Sequence, residues 1–217
     1  MGMVHFGVPE RLALFLRDRF RLETFVETGT YGGATAAWGA RHFARVYSIE
    51  ASEKYWREAR ARYGSAGNLN FLLGDSPQQL EVILPRVTRP IFWLDAHWCG
   101  GETAGAAAEC PLLAEIAAIA AARPPQPMIL IDDARLFLEP PPAPHRWEEW
   151  PGIAAVADAL RRCGDLYVAV HEDVIIAVPE EAHADLVAFC RAQPAAPAAP
   201  AAGSFFRGFL KKYARRS

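Results

Sequence analysis

The chain has 217 residues, a net charge of −2, 52% hydrophobic and 22% charged residues, which fits one full-size soluble domain with its own core, plus an appendage. That balance excludes wholesale disorder and collagen-like repeats; no apolar run reaches the length of a membrane span, and the charge gives no global bias toward nucleic acid. The opening MGMVHFGVPE has no basic stretch followed by an apolar one, so no secretory signal is expected, and Cys99, Cys110, Cys163 and Cys190 form no CxxC pair, which suits free thiols in a reducing, cytoplasmic setting.

In chain order, the spacing predicts a helix over Glu10–Phe20, a strand over Thr24–Glu27 and a helix over Ala34–Ala44. A strand over Val46–Ile49 and a helix over Ser52–Tyr63 follow, with Ser52 as N-cap and Tyr55, Ala59 and Tyr63 on one face. Next come a strand over Leu69–Leu73, a helix over Ser76–Leu84, a strand over Ile91–Leu94, a helix over Glu109–Ala122 and a strand over Met128–Ile131. Short apolar strands alternating with helices imply an α/β, doubly wound, mostly parallel sheet. Glu139-Pro-Pro-Pro-Ala-Pro144 reads as a surface loop following a strand. Leu166–His171 and Val174–Val178 are separated only by Glu172-Asp173, too short for a parallel crossover, so the seven-stranded sheet ends in an antiparallel hairpin.

The domain is expected over residues 1–193, an Ala/Pro linker over 194–203 and a basic tail over 204–217. The tail carries five basic residues and no acid, so the body is acidic; Phe205, Phe206, Phe209, Leu210 and Tyr213 share one face of a helix. It could lie on an anionic membrane, dock on a protein, including a second copy of the chain, or fray.

Each of the first five strands ends at a carboxylate: Glu27, Glu50, Asp75, Asp95 and the Asp132-Asp133 pair. In an open α/β sheet, ligands bind outside these strand ends. Glu27-Thr-Gly-Thr-Tyr-Gly-Gly33 sits between a strand and a helix, where Thr28, Gly29, Thr30, Tyr31 and Gly33 can let a ligand approach the backbone at a helix N-terminus. Glu50 can accept both hydroxyls of a ribose, and Asp75, followed by Ser76, can bind the exocyclic amine of an adenine.

With ETGTYGG, Glu50 and GDS in place, residues 20–180 resemble the class I S-adenosylmethionine-dependent methyltransferases, whose Rossmann-like sheet carries such a terminal hairpin. More narrowly, the chain is similar to the metal-dependent macrocin-type O-methyltransferases, through Trp93-Leu-Asp95-Ala-His97 at the fourth strand and Leu130-Ile-Asp132-Asp133 at the fifth. The resemblance implies that Asp95, Asp132 and Asp133 hold a divalent cation, that Asp95 also lies beside the methyl donor, and that the catalytic base stands two residues after Asp95. Here that position is His97, a departure that keeps a base. Three carboxylates form a hard-oxygen set suited to Mg²⁺; a cation lowers the pKa of an acceptor hydroxyl and an imidazole takes the proton. His97 can equally be a metal ligand or a satisfied polar residue, and one aspartate of the pair can cap a helix or bridge Arg135.

His145, Trp147 and Trp150 can stack on an acceptor or pack as core, and Gly100-Gly101 can form a flexible loop. The expected activity is therefore O-methylation of a sugar or other small-molecule hydroxyl, with a glycan acceptor equally compatible. The alternatives are an S-adenosylmethionine binder without turnover, or a DAH-type metal-dependent hydrolase, which leaves ETGTYGG and Glu50 without a role.

Overall fold

A computed structural model describes residues 7–97 and 109–192. The opening residues 1–6, Cys99, Gly100-Gly101, the linker and the basic tail lie outside the described residues.

The chain order is α1 (Glu10–Phe20), β1 (Thr24–Thr28), α2 (Ala34–His42), β2 (Arg45–Glu50), α3 (Glu53–Tyr63), β3 (Leu69–Leu73), α4 (Ser76–Ile83) and β4 (Pro90–Leu94). It continues with α5 (Leu112–Ala122), β5 (Met128–Ile131), α6 (Arg135–Leu138), α7 (Ile153–Leu160), β6 (Leu166–His171), β7 (Val174–Pro179) and α8 (His183–Ala192). The sheet order is β3-β2-β1-β4-β5-β7-β6. All pairings are parallel except those of β7, which runs antiparallel to both β5 and β6. The expected doubly wound sheet with its terminal hairpin is the fold observed. Glu172 and Asp173 form the hairpin turn with φ of 49° and 69°, the double left-handed backbone that matches the twist of a two-residue hairpin.

Strand residues alternate between two cores. Val26, Phe92, Leu94, Ile129, Ile131 and Ile175 face α4, α5 and α7 through Leu80, Ile116 and Val156. Phe25, Ile91, Trp93, Leu130 and Ile176 face α1, α2 and α8 through Leu16, Trp38 and Leu186. Burial on both faces is why these strands read as continuous apolar runs. Among the described residues no helix is long and apolar enough to cross a membrane.

Three local expectations are corrected. The Pro-rich loop follows the short helix α6, not a strand directly. Glu109 is not in α5, which starts only at Leu112, after Pro111; it takes part in a separate polar cluster. Ser52 stands at the N-cap of α3 but its hydroxyl makes no cap bond; its N–H donates instead to Glu50 Oε1 at 2.8 Å.

The register sets the site. Thr28 is level with Ile49 and Leu94, and Leu94 with Ile131. Gly29, Glu50, Asp95 and Asp132, one residue further along each strand, therefore emerge along one edge. Between β1 and β4 the winding reverses, the position where open α/β sheets hold ligands.

Candidate active site

The β1–α2 loop folds back over β2. Gly29 N–H and Thr30 N–H donate to Ile49 O at 2.9 and 3.3 Å, and Gly33 N–H to Thr30 O at 2.9 Å. Gly29 has φ +84°, and a Cβ there would lie 2.2 Å from the Asp95 carbonyl oxygen; only glycine lets β1 and β4 approach this closely. Gly33 also has positive φ, whereas a Cβ on Gly32 would meet open space. Tyr31 adopts φ 45° and packs its ring on Tyr55, centroids 4.8 Å apart.

Glu50 closes this loop from below. Its Oε2 accepts Tyr31 N–H and its Oε1 accepts Ser52 N–H, both at 2.8 Å. Burial pushes its pKa up, against the pull of the backbone N–H donors at Ser52, Tyr31 and Ala51. A carboxylate offers about four lone-pair sites, so the three backbone donors leave acceptor capacity on Glu50 for a further group. Asp75 is exposed at the N-cap of α4 and its side chain makes no cap bond.

Other residues expected to touch the cofactor turn inward instead. Glu27 is 1% exposed; Ser48 Oγ donates to its Oε2 at 2.5 Å and stands 2.6 Å from Thr30 Oγ1. Burial pushes the Glu27 carboxyl up to about 8, with the charges of Asp95 and Glu50 adding to the shift and Ser48 opposing it. Thr28 is fully buried and its carbonyl accepts Asp95 N–H at 3.1 Å. Ser76 is buried and donates to Glu115 Oε1 at 2.5 Å. Glu27, Thr28, Thr30 and Ser76 thus build the floor of the loop rather than its rim.

On the far side of the switch point, His97 is buried between two aspartates. Nε2 lies 3.0 Å from Asp133 Oδ2 and Nδ1 lies 3.7 Å from Asp95 Oδ1. Asp133, fully buried with φ 57°, places its Oδ1 2.8 Å from Arg135 Nη1. Asp132 Oδ1 accepts Asp133 N–H at 2.8 Å.

The three aspartates do not fit the cation site that the resemblance implies. Asp133 spends one oxygen on a guanidinium and the other on an imidazole, and among the described residues no group of three or more His, Cys, Asp or Glu side chains is arranged to hold a metal ion. Bridging of Arg135, the alternative for the Asp132-Asp133 pair, is what the geometry contains.

A small cleft, with an internal volume of about 10 Å³, lies beside His97, lined by Leu94, Ala96, Cys110, Glu115 and Phe137 among others. Glu115 is a residue that sequence reasoning missed. It is 1% exposed, and burial pushes its carboxyl up to about 7 against hydrogen bonds from Ser76 and Thr28. Its signal is present in the helical period: Leu112, Glu115, Ile116 and Ile119 share the buried side of α5, so one acid sits on an otherwise apolar face.

A second cluster packs against His97. Trp150 packs against His97 with centroids 5.3 Å apart and donates from Nε1 to Glu109 Oε2 at 2.9 Å. His145 Nδ1 is 3.3 Å from the same oxygen, and Arg146 N–H donates to it at 3.1 Å. Burial alone would raise the Glu109 pKa, yet the donors Trp150, Arg146 and His145 hold it below the ordinary value. Trp150 and His145 are therefore buried packing residues, and Trp147 is exposed at 61%.

At the level of sequence, no family model and no curated protein matches the chain. Its fold does match solved structures. One, described as an O-methyltransferase from Klebsiella pneumoniae, is 18% identical with a TM-score of 0.55 over 79% of this chain and 80% of that one. Another, described as a caffeoyl-CoA O-methyltransferase from Staphylococcus aureus, is 12% identical with a TM-score of 0.57 over 82% and 86%. The chain shares the methyltransferase fold. In that fold the crevice between β1 and β4 is where the Gly29 loop and Asp95 meet here.

Proposed function

We propose that the protein is an S-adenosylmethionine-dependent O-methyltransferase acting on a hydroxyl of a sugar or other small molecule. The observation that carries this reading is the placement, on one sheet edge, of a backbone-braced Glu50 below the Gly29 loop and a carboxylate-flanked His97 across the β1–β4 crevice. Glu50 accepts the ribose hydroxyls, and Asp75, at the N-terminus of α4, accepts from the adenine amine. The methyl donor supplies a sulfonium-bound methyl group.

His97 holds the proton chemistry. The acceptor oxygen forms a bond to the methyl carbon, the carbon–sulfur bond breaks with its electron pair passing to sulfur, and the acceptor proton moves to His97 Nδ1. Asp95 and Asp133 face the imidazolium so formed and stabilise it electrostatically. The proton then passes to solvent. No step is routed through a cation, because Arg135 already neutralises Asp133.

The test is calorimetric titration with S-adenosylmethionine, followed by labelled-methyl transfer to a panel of sugar and phenolic hydroxyl acceptors, with and without chelator. Binding with no transfer to any acceptor favours a donor-binding protein without turnover; absence of binding sinks the reading. Within it, Glu50→Ala weakens donor binding at least about tenfold, the scale of two charge-assisted hydrogen bonds. A Glu50→Ala protein that is folded by circular dichroism and binds the donor with unchanged affinity removes Glu50 from the ribose site.

A further inference from the structure

The charges behind His97 run from Asp133 through Arg135 to Asp173. Arg135 opens α6, and its Nη1 lies 2.8 Å from Asp133 Oδ1 and also contacts Asp173 Oδ2. Its backbone N–H donates to Asp173 Oδ1 at 2.9 Å, and Ala134 N–H donates to the Asp173 carbonyl at 2.8 Å. Asp173 belongs to the β6–β7 turn, so the far hairpin clamps the segment that follows β5. The Arg135 side chain is 17% exposed, that of Asp173 8% and that of Asp133 0%. Burial works against the Arg135 charge, but Asp133 and Asp173 outweigh it and raise its pKa.

This arrangement bears on which His97 nitrogen carries a proton. A carboxylate held by a guanidinium only accepts, so the 3.0 Å contact calls for Nε2 as the donor; in a neutral ring the lone pair then lies on Nδ1, toward Asp95. A divalent cation at the same aspartate would need near-octahedral oxygen ligands at about 2.0–2.1 Å, and Asp133 already commits Oδ1 to the guanidinium and Oδ2 to the imidazole.

We propose that Arg135 is a positioning residue that does a cation's work: anchored by Asp173, it holds Asp133 as the acceptor for His97 Nε2–H and so fixes the ring tautomer that presents Nδ1 to the acceptor hydroxyl. The proposal rests on His97 being the base of the methyl transfer. It makes deprotonation independent of metal and places part of the catalytic order in the β6–β7 turn, remote in sequence from His97. Both carboxylates meet the same Arg135 nitrogen, Nη1, and Arg suits this buried position better than Lys because its guanidinium stays charged where a buried ammonium shifts its pKa readily.

The full chain labelled with ¹⁵N-histidine, with His97 signals assigned by loss in His97→Gln, reports the tautomer directly. The expected result is Nε2–H in the native protein and a tautomer ratio moved toward Nδ1–H by about tenfold or more in Arg135→Gln, the weight of a charge-assisted hydrogen bond, with Arg135→Lys in between. Asp173→Asn gives a shift in the same direction and guards against misfolding of the Arg135 variants, since asparagine tolerates the left-handed backbone of that turn. Adding Mn²⁺ leaves the native His97 signals sharp. Native Nδ1–H, an unmoved ratio in both Arg135→Gln and Asp173→Asn, or selective broadening of His97 by stoichiometric Mn²⁺ each overturns the clamp. Donor titration on the same samples separates the two readings: a tautomer that responds as expected in a protein that binds no S-adenosylmethionine overturns the methyltransferase reading, and with it the base role, while leaving the measured link between Arg135 and His97.

Discussion

Gly29→Ala abolishes donor binding and lowers the unfolding free energy by about 2–5 kcal/mol. Two costs add. The backbone at φ +84° is one that a side chain enters at a penalty of about 1–2 kcal/mol, and the new methyl would overlap the Asp95 carbonyl, 2.2 Å from its oxygen and 2.8 Å from its carbon. The neighbour cannot yield cheaply, because the Asp95 N–H is bonded to Thr28 O at 3.1 Å across the β1–β4 pairing; overpacking of this kind costs about 1–3 kcal/mol more. Relief by widening the crevice would move Asp95 away from the Gly29 loop, so stability and donor affinity fall together. Gly32→Ala is the control, since its Cβ meets nothing within 4 Å. Urea unfolding and donor calorimetry on both variants decide the matter: a Gly29→Ala protein matching the native one in both measurements shows that the crevice is not as tight as described.

The sheet is legible in the sequence because each strand is a short apolar run between two helical periods, and because Glu172-Asp173 leaves no room for anything but a hairpin. The strands begin and end within a residue of expectation, since burial on both faces writes itself into composition. Helices α6, α7 and α8 are not among the expected elements: α6 is a single turn, whereas α7 does carry a helical period, with Val156, Ala159 and Leu160 buried on one face. The rim of the candidate site is legible for the same reason as the sheet: a residue just past a parallel strand must emerge at the carboxyl edge, which puts Glu50, Asp95 and Asp132 there.

What each acid bonds is not legible. Asp133 could meet a cation, a helix end or an arginine, and the choice depends on Asp173, 38 residues beyond Arg135. Glu109 is held by His145 and Trp150, 36 and 41 residues away. Such pairings are decided by tertiary packing, and a pattern of spacing contains no term for them. The inward turn of Glu27 is of the same kind. A carboxylate two residues before a glycine loop suggests a ligand contact, yet the β-strand alternation that buries Val26 on one face leaves Glu27 facing Ser48 and Thr30 within the protein.

That burial has a consequence for pH. The Glu27 carboxyl titrates near 8 in the folded protein, chiefly through burial, and near 4.5 when the chain is unfolded. Between these values the folded state keeps a proton that the unfolded state has lost, so unfolding becomes more favourable as pH rises. The stabilising contribution is complete below about pH 4.5 and is lost as the pH climbs through about 8, an effect on the order of a few kcal/mol. Glu115, raised to about 7 mainly by burial, pulls in the same direction over a narrower interval. Glu109 has the opposite sign, because its lowered pKa makes it stabilise only above the ordinary carboxylate range; its loss lies at acidic pH and does not overlap this window. Glu27→Gln isolates the effect. The amide mimics the neutral acid: its carbonyl accepts from Ser48 Oγ, and its NH₂ stands where the acid O–H was. The native and Glu27→Gln proteins are therefore expected to have similar urea midpoints at about pH 5 and to diverge steadily above it, with the variant the more stable by about pH 8.5. Parallel stability curves across that range would mean that Glu27 is ionised at neutral pH, and that the charge beneath the Gly29 loop is one unit more negative than the hydrogen-bond network describes.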